Sequence, residues 1–203
     1  RYIYDDKDKN ISFSITNESR NTYGGQVWID GIGTLKNSVN FITIPSFFKV
    51  DGRKKQIIRI MKIGTNLPKD RESLFWLNVQ EIPQINKKHD ANIIALAINT
   101  KVKLIYRPDT LQNGRLNAEK NIVIKKDNGE WFIENPTPYY FAIINMKING
   151  KTVGKTKLNN QLSTFEPKGK ISLNALKIAQ GDKVTIETID DFGAQNNYEV
   201  PIK

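Results

Sequence analysis

Apolar and polar residues alternate in short runs along most of this chain. Ile11-Ser12-Phe13-Ser14-Ile15-Thr16 alternates strictly, the pattern of a strand with one buried face. Residues 26–30, 41–44, 56–63 and 74–79 read as further strands, and residues 17–21 as a polar turn. Pro45 directly follows one of these runs and demands an edge, a bend or a cis bond, which leaves the Ile44–Pro45 isomer open. Residues 93–108 read I-I-A-L-A-I-N-T-K-V-K-L-I-Y-R-P. Alternation puts Ile94, Leu96 and Ile98 on one face and Ile93, Ala95 and Ala97 on the other. Pattern alone favours a central sandwich strand here. It leaves open a strand that packs a core with one face and meets a partner with the other.

A second set of strands is expected over residues 121–126, 130–134, 139–148, 170–173, 183–190 and 197–202. Between the sets, Arg107 to Arg115 carries Pro108 and Gly114 without an apolar period, and reads as a linker. No segment shows a sustained 3.6-residue period. Asp51-Gly52, Asn113-Gly114, Asn128-Gly129 and Asn149-Gly150 are tight-turn signals between strands. The expected fold is all-β, with two sandwich domains: residues 1–109, a linker at 110–114, and residues 115–203.

Composition narrows the function. The chain has 203 residues, 38% hydrophobic and 26% charged, enough to bury a core in each domain. No apolar run reaches the length that crosses a membrane as a helix, so no membrane insertion is expected. The chain begins at Arg1 without methionine, as a processed or trimmed protein does. Cysteine is absent, which excludes disulfides, thiolate catalysis and the usual zinc clusters. The single histidine, His89, lies in a polar run and reads as a solvated residue. A net charge of +10 points to an acidic partner: nucleic acid, a membrane surface, an acidic protein or a carboxylate ligand. The basic residues are scattered, and the charge does not choose among these.

Chemistry is sparse. Asp5-Asp6 and Asp190-Asp191 are carboxylate pairs at strand ends, where neighbours face opposite ways and do not share a proton or metal. No nucleophile–histidine pair, glycine-rich phosphate loop or calcium-spaced carboxylate cluster is present, so neither an enzyme, a cofactor nor a metal site is expected. Trp28 and Trp76 sit in apolar strands and read as core, which counts against nucleic-acid stacking. Glu72, Arg107 and Asp191 form a candidate structural ion-pair network.

One long motif is more specific. Leu67-Pro68-Lys69-Asp70-Arg71-Glu72-Ser73-Leu74-Phe75-Trp76-Leu77-Asn78-Val79 resembles the signature of periplasmic pilus-assembly chaperones. Glu81-Ile82-Pro83, Lys103-Leu104-Ile105-Tyr106-Arg107-Pro108, Glu134-Asn135-Pro136-Thr137-Pro138-Tyr139-Tyr140 and Asp190-Asp191-Phe192-Gly193 fit the family in the same order. The resemblance implies two immunoglobulin-like sandwiches in an L or boomerang arrangement. It implies a periplasmic, non-enzymatic chaperone that caps pilus subunits by donor-strand complementation and delivers them to an outer-membrane usher, using no cofactor. By the same resemblance, Arg1 and Lys103 anchor the subunit's C-terminal carboxylate. Ile94, Leu96 and Ile98 form the lent strand, and Glu72, Arg107 and Asp191 brace the two domains. Five positions separate Ile98 from Lys103, which puts them on opposite faces unless a bulge intervenes between residues 99 and 102. Self-association is expected to cap the exposed strand of the free protein.

The chain departs from the family pattern in several places. Tyr23-Gly24-Gly25 is unusually glycine-rich, and one proline stands after Ile44 where two are common. The second domain lacks the terminal disulfide of some relatives, and a few residues expected before Arg1 are missing. The loop at 84–92 is short, as in the branch that builds rod-like pili. The alternative readings are a basic β-sandwich that binds nucleic acid or polysaccharide, and a structural component of the fibre.

Overall fold

The computed structural model describes residues 1–83, 96–154 and 156–203. Its contacts divide the chain into two units: Arg1–Leu67 with Ser73–Tyr106, and Pro68–Glu72 with Arg107–Lys203. The boundary falls inside a strand, one residue before Arg107. Residues 68–72 lie in the middle of the first unit's sequence, yet they are counted with the second.

The first unit contains eight strands: β1 (Tyr2–Asp5), β2 (Ile11–Thr16), β3 (Tyr23–Gly31), β4 (Phe41–Ile44), β5 (Phe47–Val50), β6 (Lys55–Lys62), β7 (Ser73–Ile82) and β8 (Asn99–Arg107). Five of them form one sheet in the order β1-β8-β7-β3-β5, and three form the other in the order β2-β6-β4. Alternation explains what fills the space between them. Val27 on β3, Ile58 and Ile60 on β6, Phe75 and Leu77 on β7, and Leu104 and Tyr106 on β8 share one buried cluster with Tyr4 and Phe41. Phe41 sits at its centre, 5.0 Å from the Tyr4 ring and 4.9 Å from the Phe75 ring, both edge-on.

The chain changes sheets between β4 and β5 across the Ile44–Pro45 bond, which is cis. The crossing is tied to β3, because the Val27 amide donates to the Ser46 carbonyl at 2.8 Å and the Thr43 hydroxyl donates to the Val27 carbonyl at 2.7 Å. β5 then pairs with residues 23–26 at the sheet edge. There Phe48 crosses β3 at Gly25, where a Cβ would stand 2.2 Å from its ring. Gly25 thus leaves the room that the Phe48 ring occupies.

The second unit is a smaller sandwich. β9 (Val123–Asp127), β10 (Glu130–Glu134) and β13 (Lys170–Ser172) make one sheet, ordered β13-β10-β9. β11 (Ala142–Ile148), β12 (Lys151–Thr152), β14 (Val184–Ile189) and β15 (Gln195–Val200) make the other, ordered β12-β11-β14-β15. Ile122, Ile124, Ile133, Phe141, Phe165, Leu173, Val184 and Ile186 are among the buried residues between them. Asn128-Gly129 and Asn149-Gly150 take positive φ at both positions and close the β9–β10 and β11–β12 turns.

Several expectations need correction. The stretch 110–114, read as a linker, lies within a 3-10 helix, Asp109–Gly114, counted with the second unit. Asn113-Gly114 therefore ends a helical turn instead of joining strands. A short α-helix, Thr156–Leu162, had no counterpart in the sequence pattern, because seven residues offer only one i,i+4 apolar pair, Leu158 and Leu162. Trp28 and Trp76 are half-buried on the outer face of the five-stranded sheet, since their neighbours Val27, Ile29, Phe75 and Leu77 point inward.

Gly31 makes the sharpest steric demand. A Cβ there would lie 2.1 Å from the Leu35 carbonyl oxygen and 2.6 Å from its carbon, both backbone atoms. Gly31→Ala is expected to cost about 1–3 kcal/mol. The check is a lowered urea midpoint at unchanged slope, and an unaltered midpoint would show that the helical turn yields freely.

Candidate subunit-binding site

β8 organises the site. It pairs antiparallel with β7 from Ser73/Tyr106 to Gln80/Asn99 without a register break. The Glu81 amide donates to the Ile98 carbonyl at 2.9 Å and carries the ladder one residue further. No bulge interrupts residues 99–102, so Ile98 and Lys103 keep the opposite faces that their spacing implies. Val102, Leu104 and Tyr106 face the core, while Lys101, Lys103, Ile105 and Arg107 occupy the outer face. Ile98 has the parity of the inward set and Lys103 that of the outward set.

The expected lent strand, residues 94–98, precedes β8. Ile94 lies outside the described residues. Leu96 and Ile98 are 79% and 62% exposed, unusual for large aliphatic side chains. At the open end of the first sandwich, Ile98 joins Ile15, Phe48, Val50 and Val79 around a cavity of about 380 Å³.

The two expected anchor residues are neighbours. Arg1 precedes β1, the strand beside β8, and Lys103 stands on β8. Burial pushes the Lys103 ammonium down to about 8, with the charge of Arg1 adding to the shift. Two half-buried cations that raise each other's energy favour an incoming anion. A carboxylate between them would gain two charge-assisted hydrogen bonds.

Trp76 stands directly opposite Lys103 across the β7–β8 ladder, and Asp30 of β3 stands opposite Trp76 on its other side. The Asp30 carboxylate accepts from the Trp28 indole at 3.1 Å and from the Asn78 amide at 2.9 Å. Asn78 is fully buried beneath these side chains.

A charged cluster forms within the second unit. Arg107 donates to Glu72 and to Asp191, each at 2.7 Å. The Glu72 side chain is wholly buried, and its other oxygen accepts the Tyr140 amide at 2.7 Å. The cluster is larger than the three expected residues. Arg115 makes two bonds to Glu119, at 2.8 and 3.0 Å, and lies 3.5 Å from Asp191. Both guanidinium groups lie beside the Tyr139 ring, at 5.9 and 5.8 Å. Three carboxylates thus share two guanidinium groups, and burial pushes the Glu72 carboxyl above its ordinary value despite Arg107. Arg115 and Glu119 escaped the sequence reading, although an Arg and a Glu four residues apart were the available signal.

Known families match both halves. Residues 1–112 fit the "Pili and flagellar-assembly chaperone, PapD N-terminal domain", and residues 117–200 the "Pili assembly chaperone PapD, C-terminal domain". This chain belongs to the pilus-assembly chaperone family. It is 45% identical to the chaperone protein FanE of Escherichia coli over 98% of this chain and 87% of FanE. Among solved structures, the periplasmic chaperone SfaE superposes with a TM-score of 0.77 at 28% identity, covering 100% of this chain and 96% of SfaE. SafB of Salmonella enterica, solved in complex with the SafA pilin, gives 0.81 at 24% identity, covering 98% and 93%, a likeness of fold. The two sandwiches of this chaperone are immunoglobulin-like, and its family membership sets aside the nucleic-acid, polysaccharide and fibre-component readings.

The cluster yields a stability test for the chaperone. Arg107→Ala leaves a wholly buried Glu72 with only the Tyr140 amide, and is expected to cost about 3–5 kcal/mol. Glu72→Gln in the same background should restore part of that loss in denaturant melts. Equal stability of the single and double variants would show that charge burial is not the cause.

Proposed function

We propose that this chaperone acts in the periplasm, holding pilus subunits by strand addition and passing them to an outer-membrane usher. The segment leading into β8 is lent to the subunit, with Ile94, Leu96 and Ile98 as its apolar side chains. Arg1 and Lys103 hold the subunit's C-terminal carboxylate. The cluster of Glu72, Arg107 and Asp191 secures the places where the chain passes from one unit to the other.

One observation carries this reading. Exposed Leu96 and Ile98 lead directly into the strand whose outer face presents Lys103 beside Arg1. A lent strand needs exposed apolar side chains, free main-chain groups and a fixed endpoint. Main-chain pairing gives affinity without sequence demands, the apolar side chains select the register, and the paired cations fix where the subunit chain ends. Burying each aliphatic side chain is worth about 1.5–3 kcal/mol. The relatives support the setting: FanE is a chaperone, SfaE a periplasmic one, and SafB was solved with a pilin.

Co-expression with subunits from the same operon tests the proposal. Lys103→Ala is expected to lose the soluble one-to-one complex while keeping the wild-type melting curve, and normal capture by it would overturn the anchor. Leu96→Glu should also lose the complex, because the new carboxylate would be buried without a partner; unchanged co-purification would remove Leu96 from the lent strand. Capture needs the ammonium form of Lys103. Affinity should therefore be full below pH 8 and decline as the pH rises through about 8, and a flat titration across that range would contradict the pairing.

A further inference from the structure

The outer face of the five-stranded sheet carries more than the two cations. Across β3, β7 and β8 the registers align Asp30, Trp76 and Lys103 in one row. Adjacent strands lie about 4.8 Å apart, so each of these side chains borders the next. The row runs from an anion through an aromatic ring to a cation.

Two tryptophans share this face, and their indole N–H groups differ. That of Trp28 is committed to Asp30 at 3.1 Å. The same Asp30 oxygen also accepts from Asn78, which in turn reaches the Trp76 carbonyl at 3.1 Å. Among the described residues, the Trp76 indole N–H has no hydrogen-bond partner. It is a half-buried donor on the residue directly opposite Lys103.

We propose that the Trp76 indole N–H is a third donor to the subunit's terminal carboxylate, alongside Arg1 and Lys103, an inference that rests on the anchor reading above. A carboxylate offers about four lone-pair sites, and two cations do not use them all. Asp30, already serving two donors, repels an anion from the far side of the ring and leaves the Lys103 side as the place for it. Trp76 is itself half-buried on the residue opposite Lys103, and a hydrogen bond to an ionised group is stronger where water is excluded. Trp76 is then a specificity-determining residue: it separates a chain that ends in a carboxylate from one that does not.

The probe is a synthetic peptide with the sequence of a cognate subunit's last strand, prepared as the free acid and as the C-terminal amide. Trp76→Phe keeps the ring and removes the donor. It is expected to bind the acid about tenfold more weakly than wild type, with the amide unaffected. Equal effects on both peptides, or none, would overturn the role. Trp28→Phe, whose donor serves Asp30, should not separate acid from amide, and doing so would equally count against Trp76 as the selective donor. Lys103→Ala is measured in parallel. If it binds the acid as wild type does, the anchor reading fails; if it weakens while Trp76→Phe does not, only the third donor fails. Should Trp76→Phe not fold, nitrogen-labelled tryptophan in the wild-type protein decides. An indole N–H resonance from Trp76 that shifts with the acid and not the amide supports the bond, and one that ignores both refutes it.

Discussion

Side chains along an extended strand alternate between two faces, and the β7–β8 ladder keeps that alternation unbroken over its whole length. Val102, Leu104 and Tyr106 fill the first core, while Lys101, Lys103 and Arg107 stay outside it. A slip of one residue would exchange the two sets, placing lysines in the core and leucine and tyrosine in water. The outward position of Lys103 and the entry of Arg107 into the buried cluster both follow from this one register. β8 thus packs the first core with one face and presents Lys103 and Arg107 on the other.

The charged cluster shows a different balance. Removing guanidinium and carboxylate groups from water is costly, and their mutual attraction recovers the cost only with good geometry. The geometry here is good: two 2.7 Å bonds on Arg107, a two-point contact between Arg115 and Glu119, and an amide on the second Glu72 oxygen. Apolar residues of the same volume would also fill the space. What charges add is direction, since Arg107 satisfies Glu72 and Asp191 together in only one arrangement of residues 72, 107 and 191.

Much of the fold was legible in the sequence because two-residue alternation and Asn-Gly turns are local signals. Strands β2, β4, β6, β9 and β10 follow the pattern closely. What failed was short or depended on parity. β5 has four residues and α1 seven, too few for a period to stand out. Trp28 and Trp76 were assigned to the core by hydrophobicity, whereas the parity of Val27 and Phe75 turns them outward. Residues 110–114 looked like a linker because Pro108 and Gly114 bracket a stretch without apolar period, and a 3-10 turn needs none. The family resemblance singled out Lys103, Leu96 and Arg107 as candidate site residues. It pointed neither to Arg115 nor to Trp76 as the ladder partner of Lys103, because the second unit's packing and the sheet registers bring these together.

Gly25 and Phe48 occupy one volume, the ring standing where a side chain on β3 would begin. The two positions are therefore coupled: a side chain at 25 would push the Phe48 ring out of its present place. Phe48 also lines the cavity reached by Ile98. An evolutionary exchange within this pair would thus alter the size of the pocket beside the segment leading into β8, although neither residue belongs to that segment.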